Sequence, residues 1–150
     1  MTDADTVVRF LHVLGAVLWV GGQLTLTLVV MPLARRTLPP DRRAEVLRQV
    51  GLRFGVLTGA VFLPVQIGTG VLLARAHGVT WASLAHPGYG RLLAAKLGLF
   101  GFVLAAAAVH GLAQGRGRVP LARGASMASL VGSLGIVLLA TGLTTGPAPS

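Results

Sequence analysis

The chain contains no cysteine. Disulfide frameworks, thiolate zinc sites and thiol redox chemistry are therefore excluded, and any metal must be held by histidine, methionine, carboxylate or backbone ligands. Acidic residues are almost as scarce. Asp3, Asp5, Asp41 and Glu45 are the four carboxylates, and all lie in segments that flank the apolar runs. A paired-carboxylate site for acid/base chemistry inside those runs is excluded, and neither a nucleophile motif nor a phosphate-binding loop is present. Charged residues of both signs make up 11% of the chain, against about 25% in a soluble domain. Water is not its main solvent.

Apolar sequence fills the space. The chain of 150 residues is 53% hydrophobic, with a mean hydropathy of +0.76. A transmembrane helix takes roughly 20 apolar residues, so four of them with short connections use nearly the whole length and leave no room for a separate globular domain. The pattern predicts an all-α integral membrane protein: one domain over residues 1–150, built as a four-transmembrane-helix up-down bundle. The spans are expected at about 7–30, 54–74, 91–112 and 124–144. The acidic start, Met1 to Thr6, lacks the basic beginning of a signal peptide. The run after it exceeds the usual signal core of about 7–15 residues, so it reads as a retained helix.

Several boundaries are marked. The first helix is expected to stop near Pro32. Asp41 is the expected N-cap of an amphipathic turn or two bearing Arg42, Arg43, Glu45 and Arg48, which would let the second helix protrude from the bilayer. Pro64 predicts a kink. Gly115, Arg116, Gly117, Arg118 and Pro120 break the chain before the fourth span. In the connection from Arg75 to Gly90, Trp81 and Tyr89 have the character of interface anchors. The tail, Gly146 to Ser150, is expected to be disordered.

A net charge of +9 and a pI near 12.0 can signal nucleic acid, but in a membrane chain cations set orientation and touch anionic lipid. Arg35, Arg36, Arg42, Arg43, Arg48 and Arg53 crowd the first connection, and Arg116, Arg118 and Arg123 the third. Loops rich in arginine stay cytoplasmic. Both termini are then outside, and the expected location is the inner (plasma) membrane, crossed several times. The partners this implies are the lipid bilayer, a metal ion or haem, and a second copy of the chain as a homo-oligomer, with no nucleic acid. Gly21 and Gly22 would permit close helix approach.

Ionisable residues inside a bilayer cost roughly 2.5–3.5 kcal/mol on insertion scales, so each is a functional candidate. His12, Lys96 and His110 are the three. In an up-down bundle the first and third helices run parallel, which puts His12 and Lys96 at matching depth. His110 lies 14 residues beyond Lys96, about 21 Å along the helix, too far to share a metal with His12. The spacing nevertheless places Lys96, Phe100, Val103, Ala107 and His110 on one inward face. His12, Gly15, Ala16, Trp19, Gly22 and Gln23 form a second inward stripe. A neutral imidazole ligates haem iron or copper, and a lysine ligates once its ammonium loses a proton. His12 and Lys96 could thus hold haem b, with Trp19 beside it and Gly15 leaving room for a porphyrin edge. His77 and His86 offer a separate surface site for copper. Thr58, Gln66 and Thr69 share a stripe of the second helix, suited to bonding between helices.

The stretch from His12 to Gly22, HVLGAVLWVGG, followed by Pro32, resembles the start of CopD-domain membrane proteins, the copper-resistance protein D family. Arg53 and Phe54, Thr69 and Gly70, and the run Tyr89, Gly90, Arg91, Leu92, Leu93, Ala94, Ala95 and Lys96 extend the resemblance over about residues 9 to 115. It implies transition-metal handling, with copper transport or homeostasis as the expected function. The set His12, Trp19, Lys96 and His110 is also similar to HemJ-type protoporphyrinogen oxidases. That similarity implies haem b held by a histidine and a lysine, and a redox function as the alternative.

Overall fold

The computed structural model describes residues 3–145, with side chains described to Thr141. All regular structure among them is helical. Four helices, Asp3–Thr37, Pro40–Ala76, Tyr89–Gly115 and Val119–Thr145, are long and apolar enough to cross a membrane. They suggest a multi-pass membrane protein. At 1.5 Å per residue the first two are about 52 and 55 Å long, well beyond a hydrocarbon core of about 30 Å. The predicted spans are therefore the apolar cores of longer helices. The tail expected to be disordered lies outside the described residues, as do Met1 and Thr2 of the N-terminal segment.

Three boundary expectations are corrected. The first helix does not stop at Pro32 but runs on to Thr37. A single widened π-helical turn, Leu26–Val30, precedes the α-helical stretch Met31–Thr37, in which Pro32 is the second residue. The Met31 N–H reaches back to the Leu26 carbonyl, a five-residue step that moves the preceding carbonyls off the line where a proline ring would collide. Pro64 follows the same pattern: it is the second residue of Leu63–Ala76, behind a π turn at Thr58–Phe62 closed by Leu63 N–H to the Thr58 carbonyl. Asp41 is not the cap of the second helix either. Pro39 is the N-cap and Pro40 opens the helix, so Asp41 falls in the first turn, where a carboxylate still complements the macrodipole. Pro120 does not break the chain before the fourth helix but sits in its first turn, where a missing N–H costs nothing.

The chain forms two compact units, residues 1–78 and 79–150, and each is a helical hairpin. In the first, the helices turn at Leu38 and Pro39 and pack along a seam of small residues. A Cβ on Gly22 would lie 2.5 Å from Phe54 Cε2, and one on Gly15 would lie 2.8 Å from Gln66 Nε2. Phe54 in turn tilts against Phe62, centroids 6.3 Å apart. Gly78, with φ +64°, ends the second helix in the left-handed conformation, which glycine adopts without a Cβ penalty.

In the second hairpin, Gly132 receives Val103 and Gly135 receives Leu99. Val103 and Ser133 are fully buried, and the Ser133 hydroxyl is satisfied by the Ser129 carbonyl at 2.8 Å. Gly117, φ +69°, makes the turn between the helices. Beyond these seams both hairpins present carbon outward: Phe10, Val17, Leu28, Val56, Phe102, Val131 and Leu138 are each more than half exposed. In water such a surface would drive aggregation. Against lipid tails it costs nothing.

Candidate functional site

The two inward stripes expected from spacing are the less exposed faces of their helices. Gly15 and Trp19 are buried, and His12, Ala16, Gly22 and Gln23 are half-buried. On the third helix Val103 is buried, and Lys96, Phe100, Ala107 and His110 are half-buried around it.

His12 is held by the second helix at two points. Its Nδ1 lies 2.8 Å from the Thr69 hydroxyl, and its backbone carbonyl accepts a bond of 2.6 Å from the Gln66 amide. The Thr69 hydroxyl donates its only proton to the Val65 carbonyl. It must therefore accept from His12, which places the imidazole proton on Nδ1 and, in the neutral ring, the lone pair on Nε2. Gly70 completes the seat: a Cβ there would stand 3.5 Å from His12 Cε1. The interhelical role expected of the Gln66 and Thr69 stripe is what the structure shows, whereas Thr58 bonds within its own helix, to the Phe54 carbonyl. The space beside Gly15, reserved on sequence grounds for a porphyrin edge, is taken up by the Gln66 amide.

The other candidates make contacts of their own. His110 Nδ1 donates to the carbonyl of Ala122, 2.8 Å away, tying the third helix to the fourth at a residue only 2% exposed. His77 Nδ1 donates to the Leu73 carbonyl of its own helix at 2.8 Å. A carbonyl can only accept, so both rings carry their proton on Nδ1. His12 and His77 belong to the first unit, and Lys96, His86 and His110 to the second. No hydrogen bond or ion pair reaches the Lys96 ammonium among the described residues. Nor do any three histidine, aspartate or glutamate side chains among them converge to hold a metal ion.

Sequence reasoning missed why Gly90 stands in the run that leads to Lys96. The turn at 80–83 is knotted by Thr80 and Ser83, each backbone N–H bonding the other's hydroxyl at 3.0 and 3.2 Å. This sets the Ser83 carbonyl so close over Gly90 that any Cβ would collide with it. The tyrosine-glycine-arginine run was visible as unusual, but only the fold supplies the carbonyl.

No family model and no solved structure matches the chain. A similar sequence is an uncharacterized protein of Aquifex aeolicus (strain VF5), 31% identical over 129 residues, which span 86% of this chain and 83% of that protein. The chain belongs to one family with that protein.

Proposed function

We propose that the chain is a four-helix up-down protein of the inner membrane, with both termini outside, that binds a transition metal through His12, with haem iron as the first reading. The observation supporting this is the Thr69 hydroxyl beside His12 Nδ1: it already donates to the Val65 carbonyl, which favours the neutral tautomer protonated on Nδ1, with Nε2 as the donor atom to a metal. Metal-bound histidines characteristically carry this arrangement, the second ring nitrogen donating to an oxygen. A haem iron asks the protein for one or two axial ligands. A bare ion in a closed site asks for more, and the described residues bring no three together. Bound there, haem would supply one-electron redox chemistry. The chain's own residues fix the ring through Thr69 and hold its backbone through Gln66.

Copper handling is the second reading. It is supported by the CopD resemblance and by His77, whose ring likewise carries its lone pair on Nε2 at an exposed helix end.

The visible spectrum of purified protein, with iron and copper counted per chain, tests both. A Soret band that His12→Ala abolishes is the expected result. Thr69→Val, which removes the acceptor at nearly constant volume, should weaken metal retention by roughly 10–100-fold. Copper without iron, lost in His77→Ala and kept in His12→Ala, would favour the second reading. Neither metal in any preparation overturns both.

A further inference from the structure

A carboxylate stands on the seam of the first hairpin. Between Asp3 and Phe10 every residue is exposed except Asp5 and Val8, and these two continue the inward stripe of His12, Gly15, Trp19 and Gly22 at alternating steps of three and four residues. Asp3, two residues earlier, is exposed and off that stripe.

The register of the seam brings Asp5 to the end of the second helix. His12 meets Thr69 and Gly70. Seven residues towards the open end of the hairpin on each helix, two turns or about 10.5 Å, His12 gives way to Asp5 and Gly70 to His77. Asp5 and His77 line one notch of about 290 Å³, whose walls come from both helices and include Arg9, Leu73 and Ala76. Two turns from His12 is too far to share an ion with it.

His77 closes the second helix as its C-cap, and its Nδ1 donates to the Leu73 carbonyl. The donor atom of the neutral ring is then Nε2. An imidazole nitrogen and a carboxylate, with water, make a nitrogen and oxygen set that suits Cu(II), which binds such sites more tightly than the other divalent first-row ions. Cu(I) would ask for thiolate or thioether, and neither lines the notch. Arg9 works against any cation here. It has no hydrogen-bond or ion-pair partner among the described residues, so its charge repels the ion and keeps the site weak.

We propose that Asp5 and His77 bind a divalent copper ion in this notch, through a carboxylate oxygen and Nε2, with water completing the coordination. The inference deepens the copper reading of His77, on which it rests, and gives that histidine a partner on the first helix in place of His86.

The test titrates Cu(II) into the detergent-purified chain and follows it by electron paramagnetic resonance, with pulsed detection of the coordinated imidazole. One imidazole per bound copper is expected. Asp5→Asn, nearly isosteric, should weaken binding about tenfold or more, since even the loss of a group behind a ligand costs roughly that much. His77→Ala should remove the imidazole signal, and Asp3→Asn should change little. Arg9→Gln should tighten binding about two- to fivefold by removing a like charge.

Equal losses in Asp3→Asn and Asp5→Asn would overturn the site in favour of diffuse attraction by the acidic end. Weaker binding in Arg9→Gln would overturn it by showing that the notch takes anions. Loss of the signal in His86→Ala with none in Asp5→Asn would overturn it in favour of the two loop histidines. Dependence on His77 without dependence on Asp5 sinks this inference and leaves the copper reading standing, whereas a wild-type chain that takes up no Cu(II) sinks both.

Discussion

Gly90 and Gly15 both refuse a side chain, but what refuses it differs. At Gly90 the obstacle is the Ser83 carbonyl, part of a backbone turn held by reciprocal hydrogen bonds. At Gly15 it is the end of the Gln66 side chain, which can swing away at the cost of its bond to the His12 carbonyl. Gly90→Ala is therefore expected to destabilise by about 1–3 kcal/mol, as overpacking does, and Gly15→Ala by about 1 kcal/mol, the worth of one hydrogen bond. Gly21→Ala, with open space around it, should be neutral or stabilising. Unfolding of the three variants in detergent ranks them, and a Gly21 variant as damaged as the Gly90 one would contradict this account. At this scale the sequence was legible where periodicity decides: the stripes of His12 and Lys96 follow from 3.6-residue spacing alone. It was not legible where a partner 57 residues away decides, as Thr69 does for the proton on His12.

Among the elements, the exposed stem of the second helix carries a titration that can be followed directly. Hydrogen bonds from Arg48, then Gln49, and the Arg48 charge hold the Glu45 carboxyl from 4.5 down to about 2. A depressed carboxylate stabilises the folded stem fully above the unfolded value, and that contribution fades as the pH falls from 4.5 through about 2. Carboxyl NMR of Glu45 should show a midpoint near 2, moving up towards 4.5 in Arg48→Gln. Molar salt should move it the same way, since both groups are exposed and screened. An unmoved midpoint would mean that the pairing is absent in solution. That this helix begins well before its apolar run could be read from charge placement. The continuation of the first helix through Pro32 could not, because proline reads as a stop until a widened turn absorbs it.

For the molecule as a whole, the distribution of arginines predicts which connections face the cytoplasm. Single cysteines at Thr37 and Ala82, both exposed, should react differently with an impermeant maleimide applied from outside: Ala82→Cys labelled, Thr37→Cys protected. The reverse pattern would invert the topology. Ala82 is preferred to Ser83, whose hydroxyl bonds the Thr80 carbonyl at 2.7 Å. Helical class and the number of long apolar helices were legible from composition, because a bilayer admits few alternatives. The pairing of neighbouring helices into two hairpins was not, since the same apolar pattern fits other pairings.

The π turn at Thr58–Phe62 works as a change of phase in the second helix. In an uninterrupted α-helix the twelve residues from Phe54 to Gln66 would leave those side chains about 120° apart, and Thr69 about 60° from Phe54 on the same side. One residue absorbed by a wider turn takes back roughly 100° and brings all three round to the first helix. The helix can then fill the notch at Gly22 and also reach His12, two demands that a constant pitch would set against each other. Deleting Ala60, which should restore that pitch, is expected to keep either the Phe54 packing or the Gln66 bond to the His12 carbonyl but not both. The side-chain amide shifts of Gln66 would show which one was given up.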